Sequence, residues 1–261
     1  MKKHFVTAIA FLATTAAFAQ TTKKDSTSSI VHKPPVASAP APAKKDWSKV
    51  VLNRKSSDHF ILEFGYNSWS GVPDSIRIRG FNRTVNAAVM FDFPFKSDKR
   101  LSLAAGGGIG VYNTFFDQQE VLVAAYGNST LAFQDDEGSN HYKKFKLVTT
   151  FLQIPLELRF ALDPEHSDKS WKFAVGAKLG LLLSSYTKAK DLENSQNQII
   201  GNYIQKESSK QFFNTTQLVP TIRINKGIFG IYGEYQVTSL LKASAGPSIF
   251  PFSFGIVMSG L

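Results

Sequence analysis

Apolar and polar residues alternate one by one through most of residues 57–261, and no i, i+3, i+4 stripe competes with that alternation. A period of two is that of a β-strand, whose successive side chains point to opposite faces. The pattern predicts eight strands, at about 58–66, 83–95, 100–112, 146–161, 170–184, 213–225, 228–238 and 249–258. The fourth is the clearest. Leu152, Ile154, Leu156, Leu158 and Phe160 share one face, while Gln153, Pro155, Glu157 and Arg159 share the other.

The connections alternate as well. Long segments follow the first strand (67–82), the third (113–145) and the fifth (185–212), with a shorter one at 239–248. Only short stretches, 96–99, 163–169 and 226–227, join the remaining pairs. An even number of strands with long links on one side and tight turns on the other predicts an all-β, eight-stranded antiparallel up-and-down transmembrane β-barrel, with long extracellular loops and short periplasmic turns. Both termini are then periplasmic, and the barrel is expected to be monomeric. Aromatic residues fall into two bands in this registration. Tyr66, Trp69, Tyr112, Tyr142 and Tyr186 lie at the outer rim, and Phe93, Phe160, Trp171 and Phe229 at the inner one, as a girdle at two membrane–water interfaces would require.

Period two does not say which face looks outward, so a soluble lipocalin-like barrel shares the alternation. The polar face argues for the membrane. It is rich in glycine and carries both signs of charge in mid-strand: Glu63, Glu157, Arg159, Lys172, Lys178, Arg223 and Glu234. Charges inside a narrow barrel must be paired, so these seven are expected to form an ion-pair network in the lumen.

The first 56 residues differ. A basic start (Lys2, Lys3), an apolar run to Ala17 and the small-x-small sequence Ala17-Phe18-Ala19 predict a secretory signal peptide over residues 1–19. Residues 20–56, rich in Pro, Ala and Lys, predict a disordered periplasmic arm, and residues 57–261 the barrel. The net charge of +10 belongs mainly to the leader and arm, because residues 56–261 hold 20 basic against 18 acidic groups. A basic nucleic-acid-binding face is therefore not expected. The absence of cysteine excludes disulfides, Cys-ligated metal and a lipidated N-terminal cysteine.

Candidate chemistry is sparse, and no catalytic, cofactor or metal site is predicted. His141 beside Asp135, Asp136 and Glu137 is the one pairing that could activate a hydroxyl or water at the outer rim, and the same acids read equally as a solvated turn. Residues 120–133 read as a hairpin about Gly127-Asn128, and 198–204 as a further strand. Both are expected to extend beyond the bilayer as a binding surface or lid, with ten strands as the structural alternative.

The segment Phe151-Leu152-Gln153-Ile154-Pro155-Leu156-Glu157-Leu158-Arg159-Phe160, the Gly-rich 104–110 strand and the apolar last strand resemble the PorT-like outer-membrane barrel domains of Bacteroidetes. The resemblance covers about residues 57–261. It implies insertion by the barrel-assembly machinery among outer-membrane lipid, and a role for some members as secretion accessories. The functional expectation is a non-enzymatic structural or interaction platform, an accessory of secretion or surface assembly. Loops 113–145 and 185–212 form its surface for a protein partner. A small-solute porin, a rim enzyme on lipid or peptide, and a soluble binding barrel are the alternatives.

Overall fold

A computed structural model describes residues 59–260 except 125, 126, 167 and 168. The expected signal peptide and arm lie outside the described residues. The strands are β1 (Phe60–Ser70), β2 (Arg83–Pro94), β3 (Leu101–Phe116), β4 (Gln119–Leu122), β5 (Ala132–Asp135), β6 (His141–Ala161), β7 (Trp171–Glu193), β8 (Ile199–Ser208), β9 (Thr216–Lys226), β10 (Phe229–Tyr235) and β11 (Phe250–Ser259).

Eight of these form an antiparallel ring in the order β6-β3-β2-β1-β11-β10-β9-β7, closed by the pairing of β6 with β7. The first and last strands meet along their length, from Ile61 opposite Ser259 to Ser70 opposite Phe250. Closure leaves the ring of eight without a free edge, which a strand crossing hydrocarbon requires. β4 and β5 form a separate hairpin, and β8 pairs only with the upper part of β7. The eight-stranded reading is therefore the one that describes the ring, and the extra strands lie beyond it.

The barrel is inside out relative to a soluble one. Val175 is 61% and Ile231 60% exposed, whereas Arg223 is 3% and Glu234 6%. Outward apolar positions continue on every ring strand, including Phe64, Phe91, Ile109, Ile154, Leu179, Ile222 and Phe254. A contiguous apolar surface of this extent is stable only against another apolar phase.

β6 and β7 overrun the other strands, and a bulge lies between them. Thr150 stands opposite Ser184 but Phe151 opposite Leu182, so Leu183 is an extra residue in β7. A one-residue insertion flips the faces. Below it Lys178 and Leu182 are buried; above it Ser185, Thr187 and Ala189 are.

The loop hairpin differs from its expected form. Strict pairing spans four pairs, from Gln119 opposite Asp135 to Leu122 opposite Ala132, not a tight turn about Gly127-Asn128. The physical reason is tertiary. Val123 and Leu131 leave the ladder to enter a buried apolar cluster, and the Leu131 N–H donates to the Ala245 carbonyl at 2.7 Å.

A ring with this surface should run faster unboiled than boiled in SDS gels, as a folded, detergent-resistant barrel does. Replacing Ile154 by Arg should lower stability in bilayers by about 2–4 kcal/mol, whereas Ile154→Leu should leave it close to wild type; urea titrations in vesicles measure both.

Candidate functional site

The interior has two levels of charge. At the first, Lys178 of β7 donates to Glu63 of β1 at 2.5 Å and to Glu234 of β10 at 2.8 Å. Asn86 of β2 donates to the same Glu63 oxygen at 2.8 Å, and Ser253 of β11 to Glu234 at 2.5 Å. Tyr112 of β3 donates its hydroxyl to Glu234 at 3.2 Å and accepts from Gln153 of β6 at 3.0 Å. One cation is thus shared between two carboxylates, and the polar donors of β2, β3 and β11 spread the remaining negative charge.

At the second level Glu157 accepts from both Arg159 and Arg223, each at 2.8 Å. Arg159 also donates to Asp92 at 2.6 Å, and Arg223 to Asn225 at 3.3 Å. Asn225 in turn donates to Ser259 at 3.0 Å. Lys172 lines an open recess at the short-turn end, with Asp92, Lys99, Arg100, Arg159 and Arg223. The seven charged residues singled out from the sequence therefore all face the lumen or its lower opening. Asp92, Asn86 and Tyr112 complete the two levels. Asp92 and Asn86 share an inward parity on β2, which was the available signal for both.

Glycine makes this density of side chains possible. A Cβ on Gly110 would stand 2.6 Å from the Gln153 amide nitrogen and 2.7 Å from the Asn86 amide oxygen. A larger residue there would force both amides to shift from these positions.

The girdle residues divide. Phe93, Trp171 and Phe229 are exposed around the short-turn end, and Phe160 is half-buried beside the recess. Tyr66 packs outside the ring on Phe254 at 5.6 Å. Tyr186 carries Lys206 over its ring at 4.1 Å, and Tyr142 donates to Gln205 at 2.9 Å, beyond the ring of strands. Two expectations are corrected. Tyr112 belongs to the lumen, and Trp69 is buried under the loops, because each shares the inward parity of its strand, with Gly110 and Glu63 respectively.

The long-loop end is closed. Trp69, Phe116, Val121, Phe145, Phe151, Phe212, Phe213, Leu240, Leu241 and Ile249 form one buried cluster that draws on all four long connections or the strands beside them. Trp69 meets Phe116 edge-on at 5.5 Å. The loops fold back across the mouth and supply the barrel with an apolar core there.

The loop acids do not converge on His141. Asp135 and Glu137 both grip the Arg77 guanidinium. Asp135 is held below the usual carboxylate range by the Glu137 N–H and by Arg77, and Arg77 is raised chiefly by its hydrogen bond to Glu137. Asp136 turns inward, and burial pushes its carboxyl up. His141 is itself buried, with Nδ1 at 3.1 Å from the Ser139 carbonyl and Nε2 at 3.9 Å from Glu193. Among the described residues, no group of three or more His, Asp or Glu has a metal-holding arrangement.

Residues 51–238 match the model of the outer membrane protein β-barrel domain family, most of the chain, and the protein belongs to that family. Among solved structures it is similar to Ail, the attachment invasion locus protein of Yersinia pestis, determined in complex with the heparin analogue sucrose octasulfate. That likeness has 10% identity and a TM-score of 0.34, over 77% of this chain and 95% of Ail. No curated protein matches the sequence.

Lys178→Met strands two buried carboxylates and should cost about 3–5 kcal/mol in vesicle unfolding titrations. Adding Glu63→Gln and Glu234→Gln should restore most of that loss. A separate prediction concerns the cap. Burial and the neighbouring Asp136 push Glu120 of β4 from 4.5 up to about 7. A raised carboxyl binds its proton more tightly folded than unfolded. The hairpin is therefore favoured below pH 4.5, loses stability as pH climbs to about 7 and is flat above. Half-exposure screens the effect to about 1 kcal/mol. Hydrogen exchange of residues 119–135 should quicken from pH 4.5 to 7 beyond its intrinsic pH dependence, and Glu120→Gln should abolish that excess.

Proposed function

We propose that this outer-membrane barrel is a non-enzymatic interaction platform, an accessory of secretion or surface assembly on the PorT-like pattern. In this reading the short turns and both termini are periplasmic, and the folded loop assembly faces the outside. The observation that carries it is the doubly obstructed interior. Two levels of ion pairs fill the lumen, and the apolar cluster headed by Trp69, Phe116 and Phe213 seals its mouth. A pore needs a continuous wet path, whereas a platform needs a rigid base under an ordered surface.

The surface on offer has a specific apolar element. Ile199, Ile200, Tyr203 and Ile204 of β8 are all exposed, on a strand paired on one edge only. An exposed strand edge with apolar side chains is a template for an extended segment of a partner protein. Loops 113–145 and 185–212 are the partner-binding surface in this proposal, and insertion proceeds through the barrel-assembly machinery.

Full-length protein in planar bilayers should give no open-channel steps. A photo-crosslinker at Ile200 in intact cells should trap one discrete protein adduct that Tyr203→Lys abolishes. Stable ohmic conductance, without any adduct, would overturn the platform in favour of a solute channel.

A further inference from the structure

The outer wall carries a row of cations that the platform does not explain. Above the bulge, β7 turns Ser185, Thr187 and Ala189 inward, so Lys188 and Lys190 point outward. On β6, Phe145 and Leu147 are buried in the cap, so Lys144 and Lys146 point outward too. Register then sets like charges face to face: Lys144 opposite Lys190, Lys146 opposite Lys188, and Lys188 opposite Lys206 of β8. On the other flank, Arg83 of β2 lies over the Phe115 ring at 5.7 Å, and Lys146 over the same ring at 5.6 Å. The row thus crosses β2, β3, β6, β7 and β8, which are neighbours in that order.

Like charges directly opposite on adjacent strands repel and destabilise a sheet. Proteins ordinarily relieve such a row with carboxylates. Here Lys190 has one, Asp191 at 3.5 Å. Among the described residues, none stands within ion-pair distance of Lys144, Lys146, Lys188, Lys206 or Arg83. Lys146 donates instead to the neutral Asn113 amide at 2.7 Å, and Lys206 rests on Tyr186.

The height of the row says what its counter-ion is. Outward positions on β7 read Val175, Leu179, Leu181 and Leu183, then Tyr186, then Lys188 and Lys190. That is the sequence of layers in a membrane: hydrocarbon, aromatic interface, phosphate. Five residues separate Leu183 from Lys188, about 16 Å along the strand and roughly 12 Å along the membrane normal at a tilt of about 40°. The flexible lysine stem reaches back from there to the polar layer.

We propose that Arg83, Lys144, Lys146, Lys188, Lys190 and Lys206 form a docking surface for the phosphate groups of phosphorylated lipid in the leaflet on the long-loop side. The lipid phosphates replace the missing carboxylates and convert a repulsive row into an anchor that fixes the depth and rotation of the barrel. This rests on membership of an outer-membrane barrel family and not on the platform reading, so it stands or falls without it.

The test uses the full chain folded in neutral detergent and titrated with bis-phosphorylated lipid A, read by native mass spectrometry. The triple variant K146Q/K188Q/K206Q should bind about two orders of magnitude more weakly, at roughly fivefold per surface lysine. The control K210Q/K242Q, with charges removed from exposed loop residues outside the row, should bind as wild type does. Dephosphorylated lipid A should not bind. Without lipid, K188Q alone should melt at or above the wild-type temperature, because repulsion is relieved; with lipid A it should melt below it. Equal losses in the triple variant and the control would overturn the proposal as a bulk-charge effect. Equal binding of dephosphorylated lipid, or full competition by millimolar inorganic phosphate, would overturn it as an acyl-chain effect or a free-anion site.

Discussion

Lys178 sits between Glu63 and Glu234 with no water layer to separate them, and the barrel wall is arranged around that contact. In a lumen of eight strands most inward charges find their partners on other strands of the ring, at separations set by the diameter. Lys178 on β7 reaches β1 and β10; Arg159 and Arg223 meet Glu157 and carry the link to Asp92 on β2. Every ring strand contributes a group to one level or the other. A change in register anywhere would leave a charge unpaired in a place that solvent does not reach, so the pairing specifies the shear of the ring as well as its closure.

Above this polar zone the logic reverses. The mouth is filled by apolar side chains that the loops bring back over the ring, from Trp69 at the end of β1 to Leu240 and Ile249 before β11. The two zones obey one rule in different surroundings. Where the wall faces lipid, the interior is the only place for polar groups. Where the wall rises into water, the interior becomes an ordinary hydrophobic core, and the loops are its lid. The bulge at Leu183 marks the change. It turns Ser185, Thr187 and Ala189 inward and Lys188 and Lys190 outward, which the unbroken alternation of lower β7 would have reversed.

The loop chemistry follows from the same folding back. Asp135 and Glu137, within six residues of His141, are drawn instead to Arg77 of another connection, and Asp136 is drawn under the cap. Proximity along a loop says little about proximity in space when the loop has a core of its own to build.

Eight ring strands, their directions and their two faces were legible along the chain, because a strand half in lipid repeats every two residues and one misplaced side chain is expensive. The same parity assigned Glu63, Glu157, Arg159, Lys178, Arg223 and Glu234 to one face. Trp69 and Tyr112 share that parity too, but their place at the rim reads as girdle in the sequence, and the fold corrects it. Local pattern could not say which carboxylate meets which cation, since those partners lie up to 115 residues apart and are joined only by closure. Nor could it reveal the extra residue at Leu183, the loss of Val123 and Leu131 from their hairpin, or the alignment of Lys146, Lys188 and Lys206 in one row. Alternation along a strand is a property of the strand and its solvent, and so it is written in the sequence. Register, bulge and cap are agreements between distant segments, and only the folded ring decides them.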